Sequence, residues 1–121
     1  MKEPVIRHLD DVEAVPCPCG DSSRLITAAE GSPVSVHVTH FEDGDEHFHE
    51  LTDEVYYIIE GQGTIELDGV PEKVIPDTAV FIPAGVAHRG YGDFTAIVIA
   101  RPPFNPDDEI STHAPGETTE S

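Results

Sequence analysis

The middle of the chain is written in short apolar runs broken by turn residues, with no sustained helical period. The stretches VSVHVT (34–39), VYYIIE (55–60), GTIELD (63–68), TAVFIP (78–83) and TAIVIA (95–100) are rich in Val, Ile, Thr and aromatic residues and are bounded by Gly, Pro or Asp. They predict strands. Gly61-Gln62-Gly63 separates the second run from the third. Asp68-Gly69 suits a two-residue type I′ hairpin turn, because both central positions there need positive φ. Strands joined so closely pair antiparallel, and several at nearly regular spacing predict an all-β sandwich or barrel. One short helix is expected near Arg7 to Val15. The chain of 121 residues suffices for one compact domain. It divides into an N-terminal arm packing on the barrel (1–33), the barrel itself (34–100) and a loose C-terminal tail (101–121). The tail carries four prolines and few apolar groups, with Phe104 docking its start.

Charge narrows the partners. With 24 acidic against 6 basic side chains and a formal net charge of −18, the chain lacks the Lys and Arg patches that nucleic acid and anionic membranes require. Neither is expected as a partner. Self-repulsion on this scale is tolerable where salt screens it, so the surface suits a high-salt source, the plain alternative being an ordinary acidic surface. No apolar stretch is long enough for a membrane span, and MKEPVIRHLDD lacks the apolar middle of a signal peptide, so a cytoplasmic location is expected. Cys17 and Cys19, in PCPCG, are expected as free thiols. A bridge between residues so close would close almost no loop, and C-x-C without a second Cys pair fits no zinc framework.

The chemistry concentrates in HFHELTDEVYYIIEG, residues 47–61. On an extended strand His47 and His49 project from one face with Cα atoms about 7 Å apart, and Phe48 from the other. Glu54 follows His49 by an odd offset, so LTD must bend or bulge the chain to bring both to one side. Beyond the bend Glu54, Tyr56 and Ile58 share a face. A carboxylate leading a buried strand needs something to offset its charge, and a divalent metal held with two histidines would do so. Downstream, in DTAVFIPAGVAHRGYG (77–92), Pro83 ends a strand, Gly85 permits a tight turn and His88 resumes an extended path. His37 alternates with Val36 and Val38, and either faces solvent with Ser35 and Thr39 or lines the pocket. His8, His40 and His113 read as surface residues.

The spacing H-x-H, four residues, E, six residues, G, followed by P-x-G-x-x-H, resembles the two motifs of the cupin family, here as His47, His49, Glu54 and Gly61, then Pro83, Gly85 and His88. The flanks depart from the pattern: Asp77 stands where the second motif usually opens with Gly, Gly92 where it usually ends with Asn, and Gly44 lies nearer His47 than the leading Gly. The resemblance implies a double-stranded β-helix, the jelly-roll or cupin barrel, in which His47, His49, Glu54 and His88 coordinate one divalent metal ion. Fe or Mn is preferred over Zn, Ni or Cu, and open positions remain for a small polar ligand. Tyr56 and Arg89 are the candidates to orient it. The implied activity is that of a metal-dependent enzyme, an Fe(II) or Mn(II) dioxygenase type or an isomerase or lyase. The alternatives are a non-catalytic module that binds or senses a small ligand, and a structural or storage role. Barrel edges that need covering, and the pairing common among small cupins, imply a homodimer.

Overall fold

The computed structural model describes residues 2–112. Among the described residues nine strands form one curled antiparallel sheet: β1 (Val15–Cys17), β2 (Gly20–Ile26), β3 (Ser35–Asp43), β4 (His47–Phe48), β5 (Asp53–Leu67), β6 (Val70–Val74), β7 (Ala79–Ile82), β8 (His88–Arg101) and β9 (Ile110–Ser111). Strand β8 is the spine. Along one edge it pairs with β3 and, at His88, with β4; along the other it pairs with β5 over nearly its whole length. Strand β5 then carries β7 on its first half and β6 on its second. The sheet curls round as the expected cupin-type β-barrel fold, without a strand pairing that closes it among the described residues.

Two expected strands are one. Gly61-Gln62-Gly63 lies inside β5, still in register with Phe94, Asp93 and Gly92 of β8. Register slips between Ile58 and Glu60, and Gly61 takes φ 81°, so the strand bends without breaking. Gly61 is required there, since a Cβ would run into the Asp93 carbonyl. Asp68 and Gly69 take φ 50° and 83° and close the β5–β6 hairpin as expected. Asp77 adopts φ 71°, the left-handed conformation that favours Gly, and its carboxylate accepts a 2.7 Å hydrogen bond from the Tyr57 hydroxyl. The expected helix near Arg7 to Val15 is only a 3-10 turn, Leu9–Asp11, with His8 and Asp11 capping it reciprocally.

The core lies inside the curl. Phe41 stacks on Phe94 at 4.7 Å and leans on Tyr56 at 5.3 Å, with Ile58, Ile65, Val74, Ile82, Ala96 and Val98 around them. Each large side chain sealed there contributes roughly 1.5–3 kcal/mol. Strand β3 inverts the usual order: Ser35, His37 and Thr39 are buried, and Val36 and Val38 are only half-buried. The polar face of this strand looks inward.

Residues 102–112 are anchored. A 3-10 turn (Pro106–Asp108), capped by Asn105, leads into β9, which pairs with β4, and the Phe104 amide donates to Ser35 Oγ at 2.9 Å. Order thus extends to residue 112, and residues 113–121, His113 included, lie outside the described residues. The two cysteines are also corrected. They form a disulfide, because the β1–β2 turn places Cys17 opposite Gly20 and brings the Cys17 and Cys19 Cα atoms to 5.2 Å, within bridging range.

Candidate metal centre

Three elements supply the centre. His47 opens β4 directly opposite His88, the first residue of β8. His49 follows two residues on, facing the same way, and Glu54 enters at the start of β5 after the bend foreseen at residues 51–53. That bend is held from a distance. The buried Asp108 carboxylate accepts from the Glu50 amide at 3.0 Å, the Leu51 amide at 3.1 Å and the Thr52 hydroxyl at 3.1 Å. Burial alone would raise its pKa; the bonds from Leu51, Glu50 and Thr52 turn the net shift downward.

The histidine tautomers follow from their partners. Nδ1 of His47 lies 3.0 Å from the Asp45 carbonyl oxygen, Nδ1 of His49 2.9 Å from that of Asp108, and Nδ1 of His88 2.9 Å from that of Val86. A carbonyl oxygen can only accept, so each Nδ1 carries hydrogen and, in the neutral ring, each Nε2 presents a lone pair. One ring nitrogen from each of the three lies within 4.8 Å of the others. Glu54 Oε1 sits 3.3 Å from His49 Nε2 and 3.2 Å from His88 Nε2. His49 Nε2, His88 Nε2 and Glu54 Oε1 are buried without a hydrogen-bond partner. Three lone pairs with a carboxylate beside them could hold a metal ion, and the chemistry of these donors fits one.

The electrostatics agree. Burial lowers His47 to about 4. Burial would raise Glu54, but His49 and His88 outweigh it and bring the carboxyl to about 2, while Glu54 in turn lifts His49 against its own burial. A proton on His49 would offset the Glu54 charge where no cation does, so metal and proton compete.

A cavity of about 50 Å³ adjoins the cluster. His47, His49, Glu54 and Tyr56 line its buried side. Ser22, His37 and Thr39 form one wall, and Cys17, Cys19, Arg24, Phe104 and Glu109 reach toward solvent. His37 therefore lines the pocket, and burial holds it down at about 4. Tyr56 stands 6.2 Å from His88, ring centre to ring centre, and burial raises its pKa well above 10, so it remains a neutral phenol. Arg89 does not reach the cavity. Its neighbour His88 points inward, so Arg89 points out, where its Nε donates to Glu66 at 3.2 Å and its guanidinium covers Tyr91 at 4.4 Å. His8 is exposed, and the partly exposed His40 pairs with Asp93 at 2.7 Å.

Arg24, Asp108 and Glu109 are the site residues that the sequence reading missed. Glu109 brings Oε2 to 3.5 Å from His47 Nε2, and burial raises its pKa. A signal for the last two existed. N-P-D-D has the Asn cap and first-turn Pro of a helix start, which argues for local order in a segment otherwise read as loose.

A model of the Cupin domain matches residues 34–99. Among solved structures, a protein from Planctomyces limnophilus superposes with a TM-score of 0.84 at 37% identity, covering 89% of this chain and 96% of its own. A nucleoside dehydratase, in a protein from Streptomyces solved with uridine, gives 0.81 at 18% identity over 92% of each chain. Ectoine synthase from P. lautus gives 0.73 at 18% identity, covering 98% of this chain and 99% of its own. The last two likenesses speak to the fold alone. No match is found among curated proteins.

Proposed function

Since this chain belongs to the cupin domain family, we propose that it is a metal-dependent enzyme acting on a small polar molecule, by dioxygenase-type or by isomerase or lyase chemistry. The observation that carries the reading is the set of buried, unpartnered atoms His49 Nε2, His88 Nε2 and Glu54 Oε1 beside His47, each ring fixed through its Nδ1. His47, His49, Glu54 and His88 would hold one ion. Bound there, the ion would supply Lewis-acid or redox chemistry to a ligand in the adjoining cavity. Tyr56 offers a neutral hydroxyl to the ligand, and the sealed core behind it keeps bulk water out. Enzymes among the structural neighbours, a nucleoside dehydratase and ectoine synthase, agree with a catalytic use of the barrel. Metal analysis of untagged protein, then oxygen uptake and product analysis with Fe(II) and a panel of small acids, tests the reading. A metal-loaded protein that binds members of the panel but turns none over would instead be a binding or sensing module.

Glu54 gives the first quantitative expectation. Gln keeps its shape but removes the charge that balances the ion, so Mn(II) or Co(II) affinity should fall about 10- to 100-fold, roughly 1.4–2.8 kcal/mol, with the barrel still folded. Titrating apo wild type and Glu54→Gln at one pH and salt checks it; equal affinities would remove Glu54 from the ligand set.

A homodimer is the assembly we favour. Cross-strand neighbours Phe81, Val55, Ile99 and Val36 make one apolar row across the outer sheet, and Ala79, Tyr57, Ile97 and Val38 make the next. Phe81 is 61% exposed in a chain of net charge −18. So continuous an apolar surface on so acidic a protein calls for cover, and a second copy would provide it. Light scattering should give twice the chain mass for wild type and the single mass for Phe81→Asp, with salt favouring the dimer by screening like charges.

A further inference from the structure

Strand β2 sets one basic side chain on the cavity wall. Arg24 lies opposite His37 in the β2–β3 register, with its guanidinium carbon 5.2 Å from the centre of the Phe104 ring. Arg7 is ion-paired with Glu30, and Arg89 with Glu66. Among the described residues no carboxylate forms an ion pair with Arg24. Glu109, on the same cavity, is near enough to feel its charge but makes no ion pair with it, so a guanidinium held over an aromatic face is left available for a visiting anion.

The wall behind it is polar. Ser22 Oγ lies 3.4 Å from His37 Nδ1 and 3.2 Å from Thr39 Oγ1, a buried chain of hydrogen-bonding groups beside Arg24. We propose that the cavity takes a small monocarboxylic acid, its carboxylate on Arg24 and this wall, its other polar group turned toward His47, His49, Glu54 and His88. The second half of that placement rests on the metal-centre reading; the first rests on Arg24 alone. Size and charge restrict the class. The cavity of about 50 Å³ has room for only about three to five water-sized positions, which favours a ligand whose buried, carboxylate-bearing end is small. Glu109 lines the same cavity and would repel a second carboxylate, so dicarboxylates are disfavoured.

The test uses the full chain loaded with Co(II) and three probes, lactate, lactamide and malonate, followed by calorimetry and by the visible Co(II) spectrum. Lactate should bind about tenfold or more tightly than either of the others, about 1.4 kcal/mol. Arg24→Gln should weaken lactate about tenfold while leaving Co(II) and lactamide affinities within about twofold, and Arg24→Lys should recover part of the loss. Lactate binding unchanged in Arg24→Gln, lactamide or malonate binding as well as lactate, or no lactate binding at all overturns the proposal. If wild type takes up no Co(II), the metal-centre reading fails by itself, and the same lactate comparison on the apo protein still decides the role of Arg24.

Discussion

Replacing His49 by alanine is expected to leave a folded protein that no longer retains a divalent ion. Wild type should carry close to one equivalent. His49 supplies one of the unpartnered Nε2 atoms, and its Nδ1 ties the cluster to the Asp108 carbonyl. The substitution therefore removes a donor and frees the strap that orients the site. Loss of a supporting contact alone lowers metal affinity about 10- to 100-fold, so loss of a direct donor should exceed that. Elemental analysis and a Co(II) titration measure it, with His8→Ala as the control because that ring is exposed on the N-terminal arm. Circular dichroism of both proteins should match wild type. Equal metal content in wild type and His49→Ala would dismiss the assignment.

Asp108→Ala should produce the largest loss of stability. The carboxylate holds two amides and one hydroxyl in a buried setting, and its removal leaves those three donors without acceptors. Bonds to a charged group contribute about 1.5–3 kcal/mol each, but they share one carboxylate and water can enter, so a total of about 3–4 kcal/mol is expected. Asp108→Asn keeps an acceptor and should lose about half as much. The turn at 50–52 sets the distance from His49 to Glu54, so metal affinity should fall as well. A pH dependence follows from the same carboxylate. Its pKa is lower in the folded than in the unfolded chain, so its contribution is complete above about pH 4 and disappears as pH falls through the folded value. Urea melts of wild type and Asp108→Ala should therefore differ more at pH 7 than at pH 3, the difference shrinking as the carboxylate is protonated. A constant difference would assign the effect to packing instead.

Local spacing was enough to bring the four candidate ligands together in the sequence reading. Alternation put His47 and His49 on one face, the offset to Glu54 demanded a bend, and Pro83 and Gly85 fixed the approach to His88. The same alternation excluded Arg89 once His88 faced inward, and that step could have been taken from sequence. His37 was ambiguous because alternation assigns residues to faces without saying which face is inside. Hydrophobicity misleads in β3, where a polar cavity takes Ser35, His37 and Thr39 while Val36 and Val38 turn outward. Strand β2, GDSSRLI, was not recognised because little in it favours a strand; β3 captures it through tertiary pairing. Arg24 and Asp108 were missed for a shared reason. Contacts that span 56 to 59 positions, such as those from Asp108 to Thr52 and His49, leave no trace in local spacing.

That long span also sets a timetable for biosynthesis. The ribosome releases the chain from its N-terminal end, so His47, His49, Glu54 and His88 all emerge while Asp108 is still to come. Until it arrives, the turn at 50–52 lacks its acceptor and the His49 ring lacks the carbonyl that fixes its tautomer. On the metal-centre reading, the nascent barrel is expected to chelate poorly until Asp108 has emerged.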